Sequence, residues 1–269
     1  MKALIFAAGL GTRLKPLTDT MPKALVPLAG KTLLQWQVEK LRDAGITDIF
    51  VNVHHFPDQI IDTVRQNEGW STSITISDER DQLLDTGGGL KKIVNEQFKT
   101  IDEPILACNV DILSNIDISS LIARYESTGL SQLVVSDRKT QRYLLFDEAG
   151  LLRGWTNIKT GELKPQNLQS QISNFKSQIS NPFSSPLQQL AFSGMQILSP
   201  EILKRLSEMQ QDKFSLIDFY LHLCQTNTQN IPSSPLQAFI PGNYKMMDVG
   251  KFDQIQEAET FANMLLSIK

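Results

Sequence analysis

Residues 3–23 read Ala3-Leu-Ile-Phe-Ala-Ala-Gly9-Leu-Gly11-Thr-Arg13-Leu-Lys-Pro-Leu-Thr-Asp-Thr-Met-Pro-Lys23. An unbroken apolar run ending in two closely spaced glycines is the pattern of a strand buried on both faces and then a loop. Glycines at such a place let backbone N–H groups approach a phosphate, and Arg13 and Lys23 add positive charge. Two other phosphate loops fail on spacing. A dinucleotide-binding fingerprint needs a third glycine where Leu14 stands. Gly30-Lys31-Thr32 imitates the end of a Walker A loop, but the first glycine of that loop would fall on Leu25. Nor does the opening stretch read as a secretion signal, because Gly9 and Gly11 interrupt it and Arg13 and Lys15 follow at once.

Working outward, strand and helix patterns alternate. A helix is expected over residues 32–44, with Leu34, Val38 and Leu41 on one face and Gly45 at its C-terminal cap. A strand over 48–53 precedes a helix that begins at Pro57, a favoured first helical residue. Then come a strand over 72–76, a helix over 87–98, a strand over 105–110 and a helix over 117–125 closed by Gly129. This alternation implies an α/β, Rossmann-like fold: a mostly parallel mixed sheet flanked by helices. In the second half, strands are expected over 133–136, 143–146 and 191–198, and helices over 201–209, 214–225 and 251–268. Between residues 164 and 190 the composition turns to Gln, Asn, Ser and Pro, and Ser-Gln-Ile-Ser-Asn occurs twice, from Ser170 and from Ser177. Such a tract buries too little apolar surface to offset its ordering entropy, so it reads as a flexible insertion within one domain spanning 1–269.

The whole chain has 269 residues, 41% of them apolar and 20% charged, as in ordinary globular proteins. Its 26 Lys and Arg against 29 Asp and Glu give a net charge of −3, which disfavours nucleic acid as a partner. No apolar run reaches membrane-spanning length. Cys108 and Cys224 are too few for a disulfide framework or a cysteine-built zinc site, and two free thiols suit a reducing cytoplasm.

Four segments together resemble the sugar-1-phosphate nucleotidyltransferases. They are Gly9-Leu-Gly-Thr-Arg13 with Pro16, Pro22-Lys23 and Pro27; Leu84-Asp-Thr-Gly-Gly-Gly-Leu90; Asn109-Val-Asp111; and Met247-Asp248-Val-Gly250. The resemblance covers nearly the whole chain outside the insertion. It is nearest to the short members without a left-handed β-helix, such as those that take N-acetylmuramate 1-phosphate as acceptor. It implies a nucleotidyltransferase fold of the GT-A-like kind and transfer of a nucleoside monophosphate from an NTP, UTP in the first reading, to a sugar 1-phosphate. It further implies catalytic roles for Arg13, Lys23, Asp111 and Asp248, with Mg²⁺ held by the two aspartates. Ala8, Gly9, Gly11, Thr12, Glu79, Gly87, Gly88 and Asn109 would then contact the nucleotide, and Asn157 and Gly194 the sugar.

Each of these residues has a blander reading. Arg13 and Lys23 alone would be surface cations. Asp111 could cap a helix and Asp248 a turn. Glu79 stands with Arg80 and Gln82 near the place where, by the resemblance, the base would be contacted, and Trp155 and Asn157 could equally be core or turn residues. His54-His55 is no metal pair, since adjacent strand residues point to opposite faces. Two further functions stay open at this stage: a GTP- or CTP-dependent transferase for a mannose-, heptose- or choline-type phosphate, and an inert nucleotide-sugar-binding regulatory subunit.

Overall fold

The computed structural model describes residues 1–165, 168, 187–226 and 235–268. Most of the Gln/Asn/Ser-rich insertion expected over 164–190 lies outside the described residues. In chain order the elements are β1 (Lys2–Phe6), β2 (Pro27–Leu28), β3 (Lys31–Thr32), α1 (Leu33–Asp43), β4 (Asp48–Val53), α2 (Pro57–Gln66), β5 (Ser73–Asp78) and α3 (Asp85–Gln97). There follow β6 (Ile105–Asn109), β7 (Ile112–Ser114), α4 (Ile118–Thr128), β8 (Ser131–Ser136), β9 (Arg142–Phe146), β10 (Leu152–Asn157) and β11 (Glu162–Lys164). The last are β12 (Gln188–Leu198), α5 (Pro200–Ser207), α6 (Leu216–Thr226), β13 (Leu236–Phe239), β14 (Met246–Asp248) and α7 (Ile255–Ile268).

Local chemistry sets many boundaries. Thr32 caps α1 by accepting from the Gln35 amide, and Asp117 caps α4 through the Ser119 amide. Gly129 ends α4 in the left-handed conformation, which a side chain would strain. Pro57 occupies the first turn of α2, where no amide bond is lost.

The main sheet is mixed. Strands β5, β4, β1 and β6 lie side by side and parallel, and β12 then joins β6 antiparallel. The chain runs from β1 outward to β4 and β5, then returns to place β6 on the other side of β1. Such a reversal opens a crevice at the carboxyl end of β1, where ligands bind in open α/β sheets. Alternating residues of β1 feed two cores. Ala3 and Ile5 face α1, α2, α4 and α7, while Leu4 and Phe6 face α3, α5 and α6. A strand buried on both faces explains why the opening run carries no polar residue after Lys2.

Candidate active site

From Ala7 the chain leaves β1 and winds through three single turns, Thr12–Leu14, Leu17–Asp19 and Lys23–Leu25. Gly11 has φ +63°, and a Cβ there would stand 2.8 Å from Thr18 Cγ2 and 3.1 Å from Lys23 Cβ. Glycine is therefore what lets the loop fold back on itself, and Thr18 locks it by donating to the Gly11 carbonyl at 2.8 Å. This winding returns Lys23 to the mouth of β1.

The two aspartates come from distant segments. Asp111 follows β6, at the parallel neighbour of β1. Asp248 ends β14, which pairs antiparallel with β7 so that Asp248 lies opposite Ile112. The Val249 amide completes the ribbon by donating to the Asp111 carbonyl at 2.9 Å. Backbone pairing thus fixes one carboxylate beside the other. Lys23 Nζ donates to Asp111 Oδ2. A Cβ on Gly250 would meet Asp248 Oδ1 at 2.7 Å and an Arg13 guanidinium nitrogen at 2.9 Å, so Arg13 and Asp248 converge over that glycine. Asp248 has its pKa pushed up by withdrawal from water and then by the Asp111 charge, while Lys23, Arg13 and Arg138 pull it down.

Gly9, Gly11, Thr12, Arg13, Lys23, Asn109 and Asp111 line one cleft of about 450 Å³, joined by Leu83, Thr86 and Gly250. Ala8 is buried behind it. Gly194 has φ +71°, and a Cβ there would lie 3.0 Å from Asn109 Nδ2, which sets it against the same end of β6. Asn157 is held in a turn, accepting from Lys159 N at 3.0 Å through its side chain and from Gly161 N at 2.9 Å through its carbonyl. Among the described residues no contact ties Asn157 to the cleft.

Three residues expected to contact nucleotide have protein partners. Glu79 is 3% exposed, and both its carboxylate oxygens are occupied, by Asn52 Nδ2 at 2.8 Å and Leu84 N at 3.1 Å. Gly87 and Gly88 donate their amides to the Phe214 carbonyl at 2.9 and 3.2 Å. A Cβ on Gly87 would meet the Phe214 ring at 2.4 Å, and one on Gly88 would meet the Asp212 carbonyl at 2.0 Å. The close approach that requires these glycines is to the 212–214 segment. Thr86, within the quoted Leu84–Leu90 segment but given no role of its own, and Leu83, which nothing local distinguishes, line the cleft instead. His54 and His55 lie just past the end of β4, not within a strand, and have separate partners, the carbonyls of Glu79 at 2.7 Å and Thr18 at 3.1 Å. Among the described residues no helix is long and apolar enough to cross a membrane.

The pattern of the family described as Nucleotidyl transferase matches residues 2–264. An N-acetylmuramate alpha-1-phosphate uridylyltransferase of Caulobacter vibrioides is 43% identical over 112 residues, covering 40% of this chain and 45% of that protein. A mannose-1-phosphate guanyltransferase of Candida albicans is 34% identical over 139 residues, covering 51% of this chain and 38% of that protein. The match therefore spans less than half the length of each of these curated relatives. The solved structure of a putative glucose-1-phosphate thymidylyltransferase from Bacillus anthracis superposes over 97% of this chain and 95% of its own, with TM-score 0.74 and 14% identity. That likeness is one of fold.

Proposed function

Since this chain belongs to the nucleotidyl transferase family, we propose that it transfers a nucleoside monophosphate from an NTP to a sugar 1-phosphate and releases pyrophosphate. We take UTP as the donor and N-acetylmuramate 1-phosphate as the acceptor, a reading supported by the partial match to the Caulobacter enzyme. The observation that carries the reaction class is the convergence of Lys23, Arg13 and Asp111 on one cleft at the carboxyl end of β1, with Asp248 meeting Arg13 over Gly250 at its edge. An inert regulatory subunit would need only binding groups, whereas this set answers the demands of the reaction. We place the activity in the cytoplasm, where nucleoside triphosphates are made.

The reaction brings two anions together. At about 4 Å, two like unit charges repel by about 4 kcal/mol at an effective dielectric of about 20, so positive charge must be fixed in place beforehand. An oxygen of the acceptor phosphate forms a bond to the α-phosphorus, the bond from that phosphorus to the α–β bridging oxygen breaks, and the electron pair leaves on pyrophosphate. A phosphate monoester has a second pKa of about 6, so the attacking oxygen is already ionised at neutral pH and no general base is required. The amides of the Gly9–Thr12 loop cradle the triphosphate, Arg13 takes its outer phosphates with a planar fork, and Lys23 places a point charge at the reacting phosphates.

The donor set fits a divalent cation. Asp111 and Asp248 are hard oxygen donors close enough for one charge to raise the other's pKa. Among the described residues no group of three or more His, Cys, Asp or Glu is arranged to hold a metal. Two carboxylates, with phosphate oxygens and water completing the shell, is how Mg²⁺ is usually kept. Asp111 and Asp248 would hold it, and when bound it supplies charge neutralisation of the phosphates.

The test is pyrophosphate release with Mg²⁺ across four NTPs and a panel of sugar 1-phosphates. Release with UTP and N-acetylmuramate 1-phosphate is expected to exceed every other pair. Preference for GTP with mannose 1-phosphate would move the assignment within the family, and binding without turnover for any pair would overturn the enzymatic reading.

A further inference from the structure

Beneath the cleft, the ends of β1, β4 and β5 are joined by side chains. Ala7 N donates to Asn52 Oδ1 at 2.8 Å, Asn52 Nδ2 donates to Glu79 Oε1 at 2.8 Å, and Leu84 N donates to Glu79 Oε2 at 3.1 Å. Asn52 and Glu79 are 2% and 3% exposed. A Cβ on Gly89 would lie 2.6 Å from Glu79 Oε1 and 2.9 Å from Asn52 Nδ2, so α3 rests directly on the pair.

The polarity of this relay is forced. A backbone amide only donates, so Asn52 must turn its oxygen to Ala7 and its NH₂ group to Glu79. The Leu84 amide also only donates, so residue 79 must accept twice. Among the natural side chains of this length, a carboxylate does so and an amide does not. Burying a carboxylate is costly, and replacing a buried charge by apolar groups is often neutral or stabilising. What the arrangement provides is position. Ala7 opens the loop that carries Arg13 and Lys23, and Leu84 lies between Leu83 and Thr86, which line the same cleft.

We infer that Asn52 and Glu79 are positioning residues that hold the Ala7–Arg13 loop and the Leu83–Thr86 loop at a fixed separation, so that the nucleotide meets both walls already in place. The inference rests on reading the cleft as a nucleotide site.

Polarity reversal tests it. Glu79→Gln sets two donors against each other, and Asn52→Asp sets two carboxylates against each other. The double variant restores every pairing: the carboxylate introduced at position 52 accepts from Ala7 N and from the amide at position 79, whose oxygen accepts from Leu84 N. The measurements are Kd for UTP without acceptor, KM for both substrates, kcat and Tm. Each single variant is expected to raise the Kd and KM for UTP by about tenfold or more, with the acceptor KM changed by less than about twofold. The double is expected to return both UTP constants to within about threefold of wild type.

Single variants that leave the UTP constants unchanged would overturn the inference. So would a double that regains the wild-type Tm without regaining UTP affinity, since that marks a purely structural pair. Should the single variants not fold, the double carries the test alone, and a folded double with about tenfold weaker UTP binding is the overturning result. A wild-type protein that binds no NTP and releases no pyrophosphate would instead sink the functional reading, which separates the two failures.

Discussion

Lys23 and Asp111, 88 residues apart in sequence, are salt-bridged at the cleft, their side chains only 10% and 19% exposed. The same ammonium pulls down the pKa of Asp248, so one lysine balances two carboxylates. Truncating one partner of a withdrawn pair leaves the other charge uncompensated, which is the expensive half of a salt bridge.

Lys23→Met keeps the aliphatic stem and removes the charge. Loss of one preorganised charge donor costs about 3–4 kcal/mol in the transition state, so kcat should fall about a hundred- to a thousandfold. The Kd of the nucleotide sugar should change much less, because Arg13 and the glycine loop remain. Measuring kcat and that Kd in parallel decides the role: equal losses would make Lys23 a binding residue only.

Asp111→Asn is nearly isosteric. The ribbon that carries Asp248 depends on the Asp111 carbonyl and on β7–β14 pairing, not on the Asp111 side chain. The circular dichroism spectrum should therefore match the wild type while turnover is lost. More than about a tenth of wild-type kcat at saturating Mg²⁺ would end the metal-ligand assignment, given the strong charge stabilisation such transfers need.

The phosphate loop and Asp111 stood out because each sits in a run whose local chemistry is unusual, glycines after a buried strand or an acid at a strand's carboxyl end, whereas Asp248, locally an ordinary turn residue, was singled out only through the family resemblance. Strand β1 and the boundaries of α1, α2 and α4 were legible through period and caps. Cys108, expected to be a free thiol, is one, buried in the sheet with its pKa pushed up to about 12 by burial. Partners were not legible. Gly87 and Gly88 announced a close approach, but only the fold says that Phe214 and Asp212 do the approaching. Strands β7, β11 and β14 were missed because runs of three residues carry too little alternation to register. Glu79 was placed near the base for its position in the chain, whereas its side chain turns inward to Asn52.

Two glycines offer opposite expectations. At Gly88 an added methyl would meet the Asp212 backbone carbonyl, which cannot rotate away, so Gly88→Ala should destabilise by about 1–3 kcal/mol. At Gly9 nothing lies within 4 Å of the added Cβ, yet the residue lines the cleft. Gly9→Ala should keep the wild-type Tm and raise the nucleotide KM. Thermal melts with steady-state kinetics check both, and a wild-type Tm for Gly88→Ala would show that the 212–214 segment yields.

Glu79 makes a prediction about pH as well. Burial pushes its pKa above the ordinary 4.5, and the bonds from Asn52 and Leu84, with the charges of Lys92 and His54, offset this only in part. The folded protein therefore binds this proton more tightly than the unfolded chain does. Stability changes with pH as the unfolded minus the folded proton count, and that difference is negative between 4.5 and the raised folded value. The contribution of Glu79 should thus be largest below 4.5 and decline as pH rises through this window, then level off. Other titrating groups, Asp248 among them, act on the same curve, so the comparison is with Glu79→Gln, which removes one group and leaves the rest. The Tm of the wild type minus that of the variant should fall as pH rises from about 4 toward neutrality. A difference that stays flat would mean the carboxylate is held without cost. A difference that grows would reverse the sign, and would make the Asn52–Glu79 pair a source of stability at neutral pH rather than a group kept at a cost for the position it gives the cleft walls.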